Sequence, residues 1–245
     1  MIHLGTSGGE TFTGTAGTRD VFRGFQGNDT FLGNGGPDHD TADYSFDFAQ
    51  GGNQGIRVNL SANQSQGGLA PDTARDSFGF FDYLPGVRDV IGTRFNDVIY
   101  GGGHANVLVG GAGKDLISAG RGKDTVNGGL GADKLWGGKD ADTFTFGALK
   151  DSTVSSSGRD TIYDFSHKER DRIHLSAIDA NTKAGGNQAF TFIGKDGFHN
   201  KAGELRYQQT GGGALVLGDV NGDGKADFAI FLKGVTTLVK GDFYL

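Results

Sequence analysis

The 245-residue chain has no cysteine, three prolines, one methionine and one tryptophan. Without thiols, neither a disulfide framework nor a thiolate metal centre can form, and the fold is indifferent to the redox state of its compartment. Glutamate is also scarce: of 29 acidic residues only Glu10, Glu169 and Glu204 are Glu, and the rest are Asp. Glu favours helices, whereas Asp favours turns and serves as an oxygen ligand. No apolar run approaches the roughly 18 residues of a membrane-spanning helix, so no membrane span is expected. The start, Met-Ile-His-Leu-Gly-Thr-Ser, lacks a basic stretch followed by an apolar one, so any export signal is expected elsewhere. The net charge of −6, with no basic stripe, argues against nucleic acid and points to cations as partners.

Glycine is abundant, at 46 residues, far above its usual share of about 7%. Its placement is periodic. Gly92, Gly101, Gly110, Gly128 and Gly137 recur every nine residues, with Ala119 filling the one gap. In the same frame the sixth position reads Asp97, Asn106, Asp115, Asp124, Asp133 and Asp142, and the eighth reads Ile99, Leu108, Ile117, Val126, Leu135 and Phe144. A flexible glycine linker would show no fixed apolar register. Units such as GGAGKDLIS (110–118) and GGLGADKLW (128–136) resemble the RTX nonapeptide GGxGxDxUx.

The spacing predicts an all-β fold, a parallel β-roll or β-solenoid. Residues one to six form a glycine turn needing positive φ at several positions, and the last three make a short strand whose single apolar side chain points inward. One such side chain is too little core for an isolated unit, so the units must stack. Two units make one coil of 18 residues, which places Asp115 above Asp133 and Asp124 above Asp142 at the strand spacing of about 4.8 Å. Stacked carboxylates repel. Calcium ions between successive turns would relieve them, each taking carboxylate oxygens and turn carbonyls to reach its usual six to eight ligands. The candidate ligand positions are Asp97, Asp115, Asp124, Asp133 and Asp142, with the turn residues Gly110, Ala112, Gly113, Gly120, Arg121, Gly122, Gly128, Gly129, Gly131, Gly138 and Asp140. Several ions are expected.

Weaker copies occur earlier. GFQGNDTFL (24–32) supplies Asp29 and Phe31, Asp20 and Phe22 precede it by nine, and Glu10 with Phe12 reads as a degenerate first turn. A frame shift at Gly35 and Gly36 leads to Asp40 and an ending, DTADYS, that resembles the close of an RTX block. The solenoid is therefore expected over 1–147, with a first block at about 8–45, a wider coil or inserted hairpin over 46–91, and a second block over 92–147. Within the insertion Ile56, Val58 and Leu60 alternate as a strand does. Phe78, Phe80, Phe81 and Tyr83 are expected in the core, and Asp72 and Asp76 lie outside the period.

Residues 148–245 are expected to cap the open end, which would otherwise expose an unpaired strand edge. The segments at 158–180, 187–194 and 202–207 resemble the C-terminal domain of serralysin-type metalloproteases, with His174 where that family usually has Asp. The closing Lys240-Gly-Asp242-Phe-Tyr-Leu245 resembles the C-terminal signal of type I secretion substrates. These likenesses imply a secreted, extracellular protein whose partners are calcium and the type I secretion machinery. Asp219, Asn221, Asp223 and Asp227 have the spacing of half an EF-hand loop, but Ile230 stands where the bidentate Glu would be. They form either a weaker calcium loop or an Asx-rich hairpin turn.

A protease site needs HExxH, and none occurs; His3, His39, His104, His167, His174 and His199 have no metal-ligand spacing. A literal GxSxG at Gly5–Gly9 lacks the strand-to-helix context of a nucleophile elbow. No enzyme is expected, and the expected role is an adhesion, matrix or targeting module. The alternative is a carbohydrate-active protein, a polysaccharide lyase or epimerase or its accessory module. Asp82, Tyr83, Arg88, Asp89 and His104 are its candidate residues, and extracellular polysaccharide would be its ligand.

Overall fold

The computed structural model describes every residue except 35–37, 63 and 67. The frame shift at Gly35 and Gly36 lies outside the described residues. Apart from two 3-10 turns, Asp47–Gln50 and Lys240–Asp242, the regular elements are strands. They form two facing sheets, of nine and thirteen strands among the described residues.

Successive nonapeptides alternate between the sheets. Asp89–Ile91, Val107–Gly113, Thr125–Gly131 and Thr143–Thr145 run parallel in one sheet. Val98–Tyr100, Leu116–Arg121, Lys134–Lys139 and Thr161–Ile162 run parallel in the other. Ile99 pairs with Ile117 and Ile117 with Leu135, while Leu108 pairs with Val126 and Val126 with Phe144. One coil is therefore 18 residues, and each of these eighth-position side chains is fully buried. Pairing does not stop at the three-residue strand: Gly111 pairs with Gly129, Gly113 with Gly131 and Gly120 with Gly138, so the ladder continues around the bend.

The insertion widens one sheet only. Thr41–Asp43 pairs directly with Asp89–Ile91 in the nine-stranded sheet. In the other, the chain between them lays down Arg57–Asn59, Thr73–Arg75 and Phe81–Tyr83 as an antiparallel meander. Its outer strands rejoin the roll in parallel, at Val98–Tyr100 and Thr30–Leu32. Ile56, Val58 and Leu60 are buried. The aromatic expectation is corrected: Phe80, Phe81 and Tyr83 are 37%, 56% and 50% exposed, and Phe78 is half-buried. In Phe81–Tyr83 the inward position belongs to Asp82, which is 2% exposed, and strand alternation turns its two aromatic neighbours outward.

Beyond residue 147 both sheets continue. Arg172–His174 and then Phe243–Tyr244 extend the nine-stranded sheet; Thr161–Ile162 and Phe228–Lys233 extend the other. An antiparallel hairpin, Glu204–Thr210 with Gly213–Asp219, then closes against Phe228–Lys233. One apolar core runs from Phe22 to Phe243. No helix among the described residues is long and apolar enough to cross a membrane.

Candidate metal centres along the turn edges

Each turn places its glycines for a stated reason. Positions two and four adopt the left-handed conformation, as at Gly129 (φ 89°) and Gly131 (φ 147°), where a Cβ is strained. Asp140 occupies a fourth position with φ 81°, and its Oδ2 accepts the Gly122 N–H at 3.3 Å. At Gly110, Gly128 and Gly137 the sixth-position carboxylate lies on position one, where a Cβ would collide with Oδ2 of Asp115, Asp133 or Asp142; Ala119 is the exception in the series. Carbonyls of one turn also point along the stack into the next. A Cβ on Gly129 would strike the Gly111 carbonyl oxygen, and one on Gly131 the Gly113 oxygen.

The sixth-position aspartates form two ladders. In one, the Asp97 N–H donates to Asp115 Oδ1 (2.8 Å), the Asp115 N–H to Asp133 Oδ1 (2.8 Å), and the Asp133 N–H to Asp160 Oδ1 (2.9 Å). In the other, the Asn106 N–H donates to Asp124 Oδ1 (2.7 Å), the Asp124 N–H to Asp142 Oδ1 (2.9 Å), and the Asp142 N–H to Asp171 Oδ1 (3.0 Å). One oxygen of each carboxylate thus ties a coil to its neighbour. The second oxygens of Asp115, Asp124, Asp133, Asp142 and Asp160 are buried with no hydrogen-bond partner. Burial pushes Asp115 and Asp142 up to about 8 and Asp124 to about 7; burial, the largest cause, also raises Asp133 and Asp160, and the charge of Asp133 raises Asp160 further.

An orphaned, buried anionic oxygen is costly, and repeating it up a column asks for a cation. No three His, Asp or Glu side chains among the described residues converge to hold a metal. A calcium shell here would therefore combine carboxylate oxygens with the stacked turn carbonyls, donors that suit a hard cation. The residues fit the ion.

The family model described as Peptidase M10 serralysin C terminal matches residues 83–245. The chain belongs to the serralysin C-terminal family. The RTX calcium-binding nonapeptide repeat model matches residues 4–39, so the earlier, weaker copies carry the repeat as well. Among solved structures, the AlgE6R2 subunit of the Azotobacter vinelandii mannuronan C5-epimerase is 22% identical over 64% of this chain and 92% of that one, with a TM-score of 0.47. The AlgE6R3 subunit of the same enzyme is 24% identical over 61% and 78%, with a TM-score of 0.45. No curated protein matches the chain.

Within this serralysin C-terminal chain the proposed ligands are not equivalent. Asp29 behaves as the roll aspartates do: Oδ1 accepts the Glu10 N–H at 2.8 Å, Oδ2 is orphaned, and burial raises it to about 7. Asp20 does not. Its oxygens take the Thr15 N–H, the Thr18 hydroxyl, His3 and the terminal ammonium, and the Thr15 N–H chiefly holds it far below the usual carboxylate range. Asp40 accepts the Asp20 and Asn34 N–H groups. Asp97 is supplied by the Ile56 N–H and by the N–H and hydroxyl of Thr93. Thr93 stands at a second position where other units have glycine.

Asp160 and Asp171 continue the ladders beyond the last regular unit, where loops lengthen the 18-residue coil spacing to 27 and 29 residues. Their signal is the Asp-x-apolar triplet, Asp160-Thr161-Ile162 and Asp171-Arg172-Ile173, with Ile162 and Ile173 fully buried. Asp164 accepts the N–H groups of Gly137 and Gly138.

The loop at 219–227 is an Asx-rich hairpin turn. Asp219 accepts from the N–H groups of Asn221, Gly222 and Gly224, and Asp227 from those of Val220 and Asn221 and from the Asn221 side chain. Asn221 accepts the Asp223 N–H, and Asp223 the Lys225 N–H. No side-chain oxygen of Asp219, Asn221 or Asp227 is buried without a hydrogen-bond partner.

The residues nominated for catalysis are not gathered. Asp82 and Asp89 lie in different sheets, both buried. Asp82 holds the Asp29 N–H and the Tyr44 hydroxyl, and Asp89 holds His39 and the Val107 N–H. His167 and His199 pair with Asp242 and Glu204 at 2.8 Å. His174 meets the Ser176 hydroxyl and packs edge-on against Tyr244.

Proposed function

We propose that this protein is a secreted calcium-binding module that leaves the cell unfolded through type I machinery, folds on extracellular calcium, and serves without catalysis as an adhesion, matrix or targeting element. The observation that carries the reading is the pair of ladders, in which buried carboxylates present one paired and one orphaned oxygen, in a chain whose residues 4–39 match the RTX calcium-binding repeat. Asp115, Asp124, Asp133, Asp142 and Asp160 would hold the ions, with Asp29 in the first block. Bound calcium would supply the positive charge that these oxygens lack. Because the sites exist only in the stacked coil, binding energy is folding energy. At low cytosolic calcium the ladders repel and the chain stays exportable; at millimolar calcium it folds.

Limited proteolysis tests the calcium-dependent part. The chelated chain is expected to be cut throughout 92–145, and millimolar calcium to protect that block; equal cleavage in both conditions overturns the reading. A screen of uronate-containing polysaccharides tests the non-catalytic part. Retention without turnover supports a binding module, whereas β-elimination products or epimerised residues contradict it.

A further inference from the structure

Outside the repeat period, the insertion buries a second group of carboxylates with the same signature. Asp76 is fully buried. Its Oδ1 accepts the N–H groups of Phe78 (3.0 Å) and Phe80 (2.7 Å), while Oδ2 has no hydrogen-bond partner. Asp76 lies within electrostatic reach of Asp29, Asp47 and Asp82, each of which it makes harder to ionise. Asp47 and Asp82 are spent: Ser77 donates its hydroxyl to Asp47, and Tyr44 donates to Asp82, whose other oxygen takes the Asp29 N–H. Two orphaned oxygens remain, Oδ2 of Asp76 and Oδ2 of Asp29. Arg75, whose charge favours the ionised form of Asp76, sits on the exposed face with its Nε on the Gly79 carbonyl.

The geometry points to an additional calcium site in the insertion, with Asp76 as a ligand, lodged against the repeat turn that ends at Asp29. The ladder logic explains why it belongs there. The Asp29 N–H donates to Asp82 as the Asp115 N–H does to Asp133, so the meander replaces the missing coil on that edge, and its turn at 76–80 replaces a nonapeptide turn. As in the roll, no three carboxylates converge, so main-chain carbonyls would complete the shell. The inference rests on the roll itself binding calcium.

The test is ion stoichiometry by equilibrium dialysis on the full chain, comparing the natural protein with Asp76→Asn and Asp115→Asn at saturating calcium. Asn keeps the acceptor for Phe78 and Phe80, so the turn has its hydrogen bonds. Asp76→Asn is expected to bind one ion fewer per chain. An unchanged ion count overturns the site, since a merely protonated Asp76 would be mimicked by Asn without loss. If Asp115→Asn loses calcium and Asp76→Asn does not, the insertion site fails and the roll stands; if the natural protein binds none, both fail. Should Asp76→Asn not fold, terbium emission sensitised by Tyr44 decides. Tyr44→Phe is expected to remove a distinct fraction of that emission, and unchanged emission overturns the site.

Discussion

Asp115 fastens the preceding coil with one carboxylate oxygen and buries the other without a hydrogen-bond partner, where the proposed calcium ion would sit. The substitution Asp115→Asn separates them, because Asn keeps Oδ1 for the Asp97 N–H and loses only the anionic second oxygen. The calcium midpoint for folding is expected to rise about tenfold or more, roughly 1.4 kcal/mol or above, with the calcium-free chain no less stable than before. An unchanged midpoint in a calcium titration would contradict that role. The same oxygens set a pH dependence. Burial raises Asp115 and Asp142 to about 8 and Asp124 to about 7, against about 3.9 in an unfolded chain. A raised folded-state pKa favours the protonated group, so this stability is fully present below about pH 4 and lost as pH rises through about 8. Chelated protein should therefore show more β circular dichroism at pH 5 than at pH 8.5, and the reverse order would refute the assignment. Calcium competes with these protons, so its binding at pH 7 should release them.

At the scale of turns and strands, glycine positions differ in what they tolerate. A Cβ on Gly131 would combine a left-handed backbone with a collision against the Gly113 carbonyl, whereas Gly185 has open space and no positive φ. Gly131→Ala is expected to destabilise the calcium-bound protein by several kcal/mol, and Gly185→Ala to leave the melting temperature within about a degree or two. Equal effects would mean the turn geometry is not what limits the roll. The hairpin at 219–227 should behave differently from the roll: Asp219→Ala removes three hydrogen bonds to N–H groups and lowers stability, yet leaves the bound-calcium count unchanged. A lost ion would make the loop a metal site. These contrasts mark what was readable beforehand. A strict period of nine exposes the two apolar columns between Ile99 and Phe144 and the aspartates two residues before them, because every unit meets the same neighbours. The period is silent where the chain leaves it. Asp76 and Asp82 sit in a meander with no repeat, Phe81 and Tyr83 are turned outward by Asp82, and Asp160 and Asp171 are displaced by intervening loops. Asp20 and Asp97 match the repeat, yet local donors satisfy them, and Thr18 and Thr93, which supply those donors, stand outside the repeat pattern.

Across the whole molecule, the ladders make folding collective. The first-block turn at Asp29 reaches the insertion through Asp82, the insertion reaches the second block through the Ile56 N–H on Asp97, and that block reaches the cap through Asp160 and Asp171. Strand pairing follows the same path, and one core runs beneath it. Each coil thus presents its carboxylates correctly only when its neighbours are in place, which would couple the proposed ion binding at one turn to order at the next. The most direct test is far-UV circular dichroism during a calcium titration of chelated protein, followed by melts at each calcium level. A weak β signal without calcium, a steep cooperative gain as calcium is added, and a melting temperature that climbs with calcium are the predicted result. A full β signal in chelator, with a melting temperature that calcium does not move, would contradict the account.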